Sequence, residues 1–221
     1  MWCIPKAGSD YVACMEDVLD LYEQPYDPLR PQVCYDEWRK ALISETRNGI
    51  PVQPGRRKRV DYEYKRNGVA YLHMFFEPLQ GKRYIRVDSQ HTMQDFAYCM
   101  KQLVDEFYPH AETIRVVLDN LRTHKPAALY EIFPPEEARR ILRKLEFHYT
   151  PKHGSWLNMV EIELSVFGRT MKSYIPEQQA FESEAQALTL ERNAANATVD
   201  WQFRSVDARI KLKQLYPSIL A

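Results

Sequence analysis

The chain has 221 residues, 45% of them hydrophobic and 27% charged, the proportions of a globular protein that can bury one substantial core. Thirty Lys and Arg balance thirty Asp and Glu, so no global positive charge advertises a polyanionic partner, and any such footprint must be local. No run reaches the roughly 18 apolar residues of a membrane span, Met1 to Lys6 lack a signal-peptide core, and Cys3, Cys14, Cys34 and Cys99 lack the paired spacing of zinc sites or disulfide frameworks; the expectation is a cytoplasmic protein with no membrane partner.

Ser9 precedes a helical pattern carrying Val12, Met15, Leu19 and Tyr22 on one face, ended by Pro25 and Pro28. Val33-Cys34-Tyr35 reads as a short strand closed by Asp36, followed by a polar stretch to Asn48-Gly49 and the basic run Arg56-Arg57-Lys58-Arg59. Val69 to Phe76 and Arg83 to Val87 flank Pro78-Leu79-Gln80-Gly81 as two antiparallel strands, which with the first strand make a meander. Thr92 and Asp95 have capping-box spacing before Phe96, Met100, Leu103 and Phe107, a helix that Pro109 stops. Ile114 to Leu118 is a strand closed by Asp119. Pro126 to Lys144 is helical with a break at Pro134-Pro135, and Leu145 to Tyr149 is a brief strand. The segment Thr150 to Glu161 then enters a helix striped by Leu157, Val160, Leu164, Phe167 and Met171, and Phe181 to Ala197 and Val206 to Leu215 read as further helices. The order describes a mixed sheet with helices on its faces.

Two strand ends and a helix therefore present carboxylates, and three acids brought to one point make a site for divalent ions suited to phosphoryl transfer. Side chains alternate along a strand, so Asp36 and Glu37 cannot both serve one site from a regular strand. On the helix, Glu161 and Glu163 flank the apolar stripe on opposite edges, and periodicity does not choose between them. His148, His153 and Ser155 do not read as a nucleophile and base, because no acid is placed by sequence to orient them. Trp156 reads as a core anchor at the helix start.

Four ordered motifs resemble the mariner-type superfamily of DDE transposases, in its bacterial insertion-sequence branch: Val33-Cys34-Tyr35-Asp36-Glu37; Asp61 to Gly68; Leu118-Asp119-Asn120 with His124; and Thr150-Pro151 through Ser155-Trp156-Leu157-Asn158 to Glu161. The resemblance implies an α/β, RNase H-like fold of the retroviral integrase superfamily, a mixed five-stranded sheet flanked by helices. It places a lead-in helix and linker at 1–30, the catalytic core at 31–175 and a helical extension at 176–221. It implies Asp36, Asp119 and Glu161 as catalytic metal ligands for two Mg²⁺ ions, which Mn²⁺ can replace, and leaves Glu163 outside the motif. Asn120, His124 and Asn158 would support those ligands.

The implied chemistry is hydrolytic nicking at transposon ends and attack of the freed 3′-hydroxyl on target DNA. Partners are then double-stranded DNA, a second copy in a homodimer, and an upstream-frame polypeptide carrying the helix-turn-helix region that relatives place before this point. Beside an acidic site, Arg56, Arg57, Lys58, Arg59, Lys152 and His153 are the candidate phosphate contacts. Trp38 after Asp36-Glu37 departs from relatives, as does the long interval from Asp119 to Glu161 (161 − 119 = 42), which a surface helix at Pro134-Pro135-Glu136-Glu137 explains. Two other functions fit the same residues: a stand-alone RNase H-like nuclease, and a truncated or frameshifted remnant that binds DNA or a partner without catalysis.

Overall fold

The computed structural model describes residues 8–47, 53–55, 57 and 63–217. Five strands, β1 (Gln32–Glu45), β2 (Tyr64–Glu77), β3 (Lys82–Asp88), β4 (Ile114–Leu118) and β5 (Leu145–Tyr149), form one sheet in the order β3-β2-β1-β4-β5. β1, β2 and β3 pair antiparallel, and β4 and β5 run parallel to β1. This is an α/β RNase H-like fold with helices on both faces.

Alternation along the strands divides the core. Val33 and Tyr35 of β1, Phe75 of β2, and Ile114, Val116 and Leu118 of β4 face one side, where α2 (Met93–Gln102), α3 (Ala127–Ile132) and α4 (Pro135–Leu142) supply Phe96, Met100, Leu129 and Ile141. Cys34, Met74, Phe76 and Val117 face the other side, under α1 (Ser9–Tyr22), α5 (Val160–Thr170) and α6 (Gln178–Ala194). α7 (Ser205–Lys211) is joined to α1 by Ser205, whose hydroxyl donates to Asp20 Oδ1 at 2.6 Å.

Two expectations need correction, and a third is met. β1 does not close at Asp36 but continues to Glu45, because Trp38 and Leu42 pack against the α6 side of the core and β2 pairs with the strand along its length. The helix after Thr92 has its capping box, with Thr92 N donating to Asp95 Oδ2 at 2.7 Å. It widens into a π-helical turn at Leu103–Phe107, which sets Phe107 against Phe75 and Tyr84. The helix expected on the surface at Pro134 to Glu137 is α4, which buries Ala138 and Ile141 and exposes its acidic first turn.

Candidate active site

β1 and β4 pair only from Gln32 to Cys34, the last partners being Cys34 and Val117. Asp36 and Asp119 each lie two residues beyond that pair, so the two acids stand at matching positions where the strands part. Glu161 comes from the first turn of α5, which packs on β1 and β2. A 3₁₀ turn, Ser155–Leu157, separates the loop from α5, so the motif enters its helix one turn later than its sequence suggests.

Asp36 and Glu161 line one cleft of about 430 Å³ with Trp38, Ser165 and Gly168. Asp119 lines another of about 430 Å³ with Asn120, Thr150, Lys152, His153 and Ser155. Burial pushes the Asp36 carboxyl up to about 7; the backbone N–H of Glu37 opposes this, and the charges of Glu161, Glu37 and Asp119 add to it. All three acids are thus within electrostatic reach of Asp36. Among the described residues, neither Asp36 nor Glu161 has a cationic partner within 4.0 Å. No three His, Cys, Asp or Glu side chains among them stand in chelating register.

Glu163 has the opposite environment. It is 1% exposed, and Arg83 Nε and Arg192 Nε each donate to its Oε2 at 2.6 Å while Arg192 Nη2 donates to Oε1 at 2.7 Å. Burial raises its proton affinity, but the two guanidinium groups outweigh that and hold it below 4.5. Of the two acids that periodicity left open, Glu163 is saturated by counter-charge and fastens α5 to β3 and α6, whereas Glu161 is exposed and unpaired.

His124, expected to support the ligands, forms a strut behind Asp119 together with Glu37, which the sequence reading had left out of the site. Burial opposes charge on His124, but hydrogen bonds to Asp119 and Glu37 push it up to about 9. The imidazolium donates from Nδ1 to Asp119 Oδ1 at 2.5 Å and from Nε2 to Glu37 Oε1 at 2.8 Å. Tyr35 Oη donates to the same Glu37 oxygen at 2.9 Å and lies 2.8 Å from His73 Nδ1. The i, i+2 spacing of Tyr35 and Glu37 on one strand face was the available signal. Among the described residues, nothing donates a hydrogen bond to Asp119 Oδ2.

A family model for the DDE superfamily endonuclease matches residues 31–182, more than half of the chain. The chain belongs to the DDE endonuclease superfamily. Among solved structures, this DDE chain is similar to the Mos1 mariner paired end complex with Mn (TM-score 0.56, 13% identity, covering 89% of this chain and 61% of that one). It is also similar to the Mos1 strand transfer complex (TM-score 0.58, 13% identity, 89% and 62%) and to the Mos1 paired end complex with Mg (TM-score 0.53, 12% identity, 98% and 66%). At this identity the likeness shows the fold, and the chain spans about three fifths of the length of the first two. No curated protein sequence matches.

The remaining candidate residues of the DDE chain fall as follows. Lys152 and His153 are exposed beside Asp119. Asn120 Oδ1 accepts from Lys125 Nζ, and Asn158 Nδ2 donates to Tyr35 O at 2.9 Å, joining the motif to β1, while Asn158 Oδ1 is buried without a partner. Arg57 is exposed, and Arg56, Lys58 and Arg59 lie outside the described residues. Trp156 is not a core anchor: it is 44% exposed, with its ring against those of Trp201 and Phe203, because the 3₁₀ turn directs Leu157 inward in its place. His148 faces Asp17 and Glu146, at 2.8 and 3.1 Å.

His153 has φ +65°, a left-handed conformation uncommon outside glycine. At Gly154 an added Cβ would fall 2.6 Å from Pro151 Cγ and 2.9 Å from Pro151 O. Gly154→Ala should therefore destabilise the fold by about 1–3 kcal/mol through overpacking. Chemical denaturation would read the change, and an unaltered midpoint would show that Pro151 moves aside freely.

Proposed function

We propose that this chain is the catalytic part of a DDE transposase that cleaves DNA strands and transfers them at insertion-sequence ends, with Asp36, Asp119 and Glu161 as metal ligands. The observation that carries this reading is that Asp36 and Glu161 line one cleft, with no cationic partner among the described residues, and that Asp36 is within electrostatic reach of Asp119 at the fork between β1 and β4. The donor set fits Mg²⁺, with Mn²⁺ as a substitute and two ions per site: it is all carboxylate and open to water and phosphate. When bound, such ions stabilise charge on the phosphate oxygens and favour the ionised form of an attacking water or 3′-hydroxyl. The chain's own part is to orient the acids. His124 and Glu37 fix one oxygen of Asp119 and leave the other open, the Arg83–Glu163–Arg192 cluster sets the position of α5, and Lys152 and His153 meet the DNA backbone.

The paired end complexes of Mos1 with Mn and with Mg support divalent ions and paired DNA ends as partners here, and a homodimer belongs to the same proposal. The four motifs support the bacterial insertion-sequence branch.

The test is nicking of supercoiled plasmid with Mg²⁺, Mn²⁺ or chelator. Wild type should nick only with a divalent ion, and Asp119→Ala should reduce the rate at least ~100-fold, the scale on which lost transition-state charge stabilisation is read. Equal rates would remove Asp119 from the site.

A further inference from the structure

A third cavity, of about 180 Å³, opens at the N-terminal ends of β1 and β4, the opposite end of those strands from Asp36 and Asp119. Its wall includes Tyr26, Tyr84, Phe107 and Tyr108. Tyr84 stacks on Phe107, with centroids 4.3 Å apart and planes at 11°, and meets Tyr108 edge to face at 5.7 Å and 77°. The rings thus make a corner of electron-rich surface. Phe107 ends the π-helical turn, an irregularity that recurs at functional sites.

Glu77 also lines this cavity and is 2% exposed. The Tyr108 hydroxyl donates to its Oε2 at 2.9 Å, but Oε1 is buried with no hydrogen-bond partner. Among the described residues no cationic side chain lies within 4.0 Å of Glu77; Lys82, at the exposed rim, does not reach it. A buried acceptor left unmade is costly, and nothing in the DDE reaction uses it. Ring faces attract cations, and an unpaired carboxylate oxygen calls for an N–H donor.

We propose that this cavity binds an alkylammonium group, with an N–H donated to Glu77 and the carbon chain against Tyr84 and Phe107. The orphaned acceptor selects a primary ammonium over a quaternary one, which has rings to meet but no proton to give. The site stands apart from the carboxylates at the far strand ends and does not depend on their role.

The experiment titrates n-butylammonium and tetramethylammonium chloride, at constant ionic strength, into wild type, Glu77→Gln and Tyr84→Leu, with binding followed by calorimetry and NMR. Butylammonium should bind wild type saturably, at least tenfold more weakly to either variant, and more tightly than tetramethylammonium. Putrescine and Nα-acetyl-lysinamide form the next two arms: stronger binding of the first assigns a free diamine, and of the second a lysine side chain of a polypeptide. Glu77→Gln is nearly isosteric, so its comparison stands even where Tyr84→Leu fails to fold. Equal butylammonium affinity in wild type and Glu77→Gln, or no saturable binding in wild type, overturns the proposal.

Discussion

Asp36→Asn should abolish divalent-dependent nicking and, without metal, make the protein more stable above neutral pH. Asp36 lies at about 7 in the fold and 3.8 as an ordinary carboxylate. Between those values the folded chain holds a proton that the unfolded chain has released, so stability falls as pH rises from 3.8 and levels off above about 7. One pK unit corresponds to about 1.4 kcal/mol, which makes the ionised group worth roughly 2–4 kcal/mol of instability at pH 8. Asn keeps an acceptor for the Glu37 N–H, which lies 2.8 Å from Asp36 Oδ1, and removes the charge. The variant should unfold about 5–10 °C higher than wild type at pH 8 and no higher below pH 4. Melting curves across pH with chelator present measure this, and a variant no more stable at pH 8 would mean that Asp36 is solvated well enough to ionise without metal.

The second large effect belongs to Arg83, which is 1% exposed and donates to Glu163, to Gly81 O at 2.6 Å and to Ala197 O at 2.5 Å, with its guanidinium 4.5 Å from the Phe76 ring centroid. Arg83→Ala strands a buried carboxylate with Arg192 as its remaining cation and should cost about 3–5 kcal/mol. The double variant Arg83→Met with Glu163→Met should recover part of that loss, since no buried charge is left alone. Glu163 is held below 4.5 in the fold, so its contribution is present above that pH and disappears as pH falls through the lowered value. The destabilisation by Arg83→Ala should accordingly shrink in acid. Denaturant titration at pH 7 and pH 3 reads both, and equal losses at the two pH values would detach Arg83 from the charge on Glu163.

What was legible in the sequence was what local periodicity encodes. The apolar runs at Val69 to Phe76 and Ile114 to Leu118 are strands because burial inside a central sheet demands them, and Leu145 to Tyr149, half-buried at every position, is the edge strand beside β4. Thr92 and Asp95 announced a helix start, and Pro134-Pro135 a break between α3 and α4. The outer half of β1 was not legible. Trp38 is cut off from the apolar Ala41, Leu42 and Ile43 by Arg39 and Lys40, and the strand character comes from pairing with β2, some thirty positions away.

The site divides in the same way. Asp119 was marked by the buried strand before it. The choice between Glu161 and Glu163 rests on Arg83 and Arg192, 80 and 29 positions from Glu163, and no local pattern carries such contacts. Glu37 seemed excluded from the site by strand alternation. It does face away from Asp36, and it still acts on the site because His124 bridges it to Asp119. Trp156 was misread for the opposite reason: a large aromatic at a helix start suggests core, but the 3₁₀ turn before α5 turns Leu157 inward and leaves Trp156 facing outward.

The most direct measurement is calorimetric titration of Mn²⁺ into wild type, Asp36→Asn, Asp119→Ala and Glu161→Ala. Saturable binding by wild type, weakened at least tenfold in each variant, is the predicted outcome. Affinity unchanged by all three substitutions would contradict a metal centre built from these carboxylates.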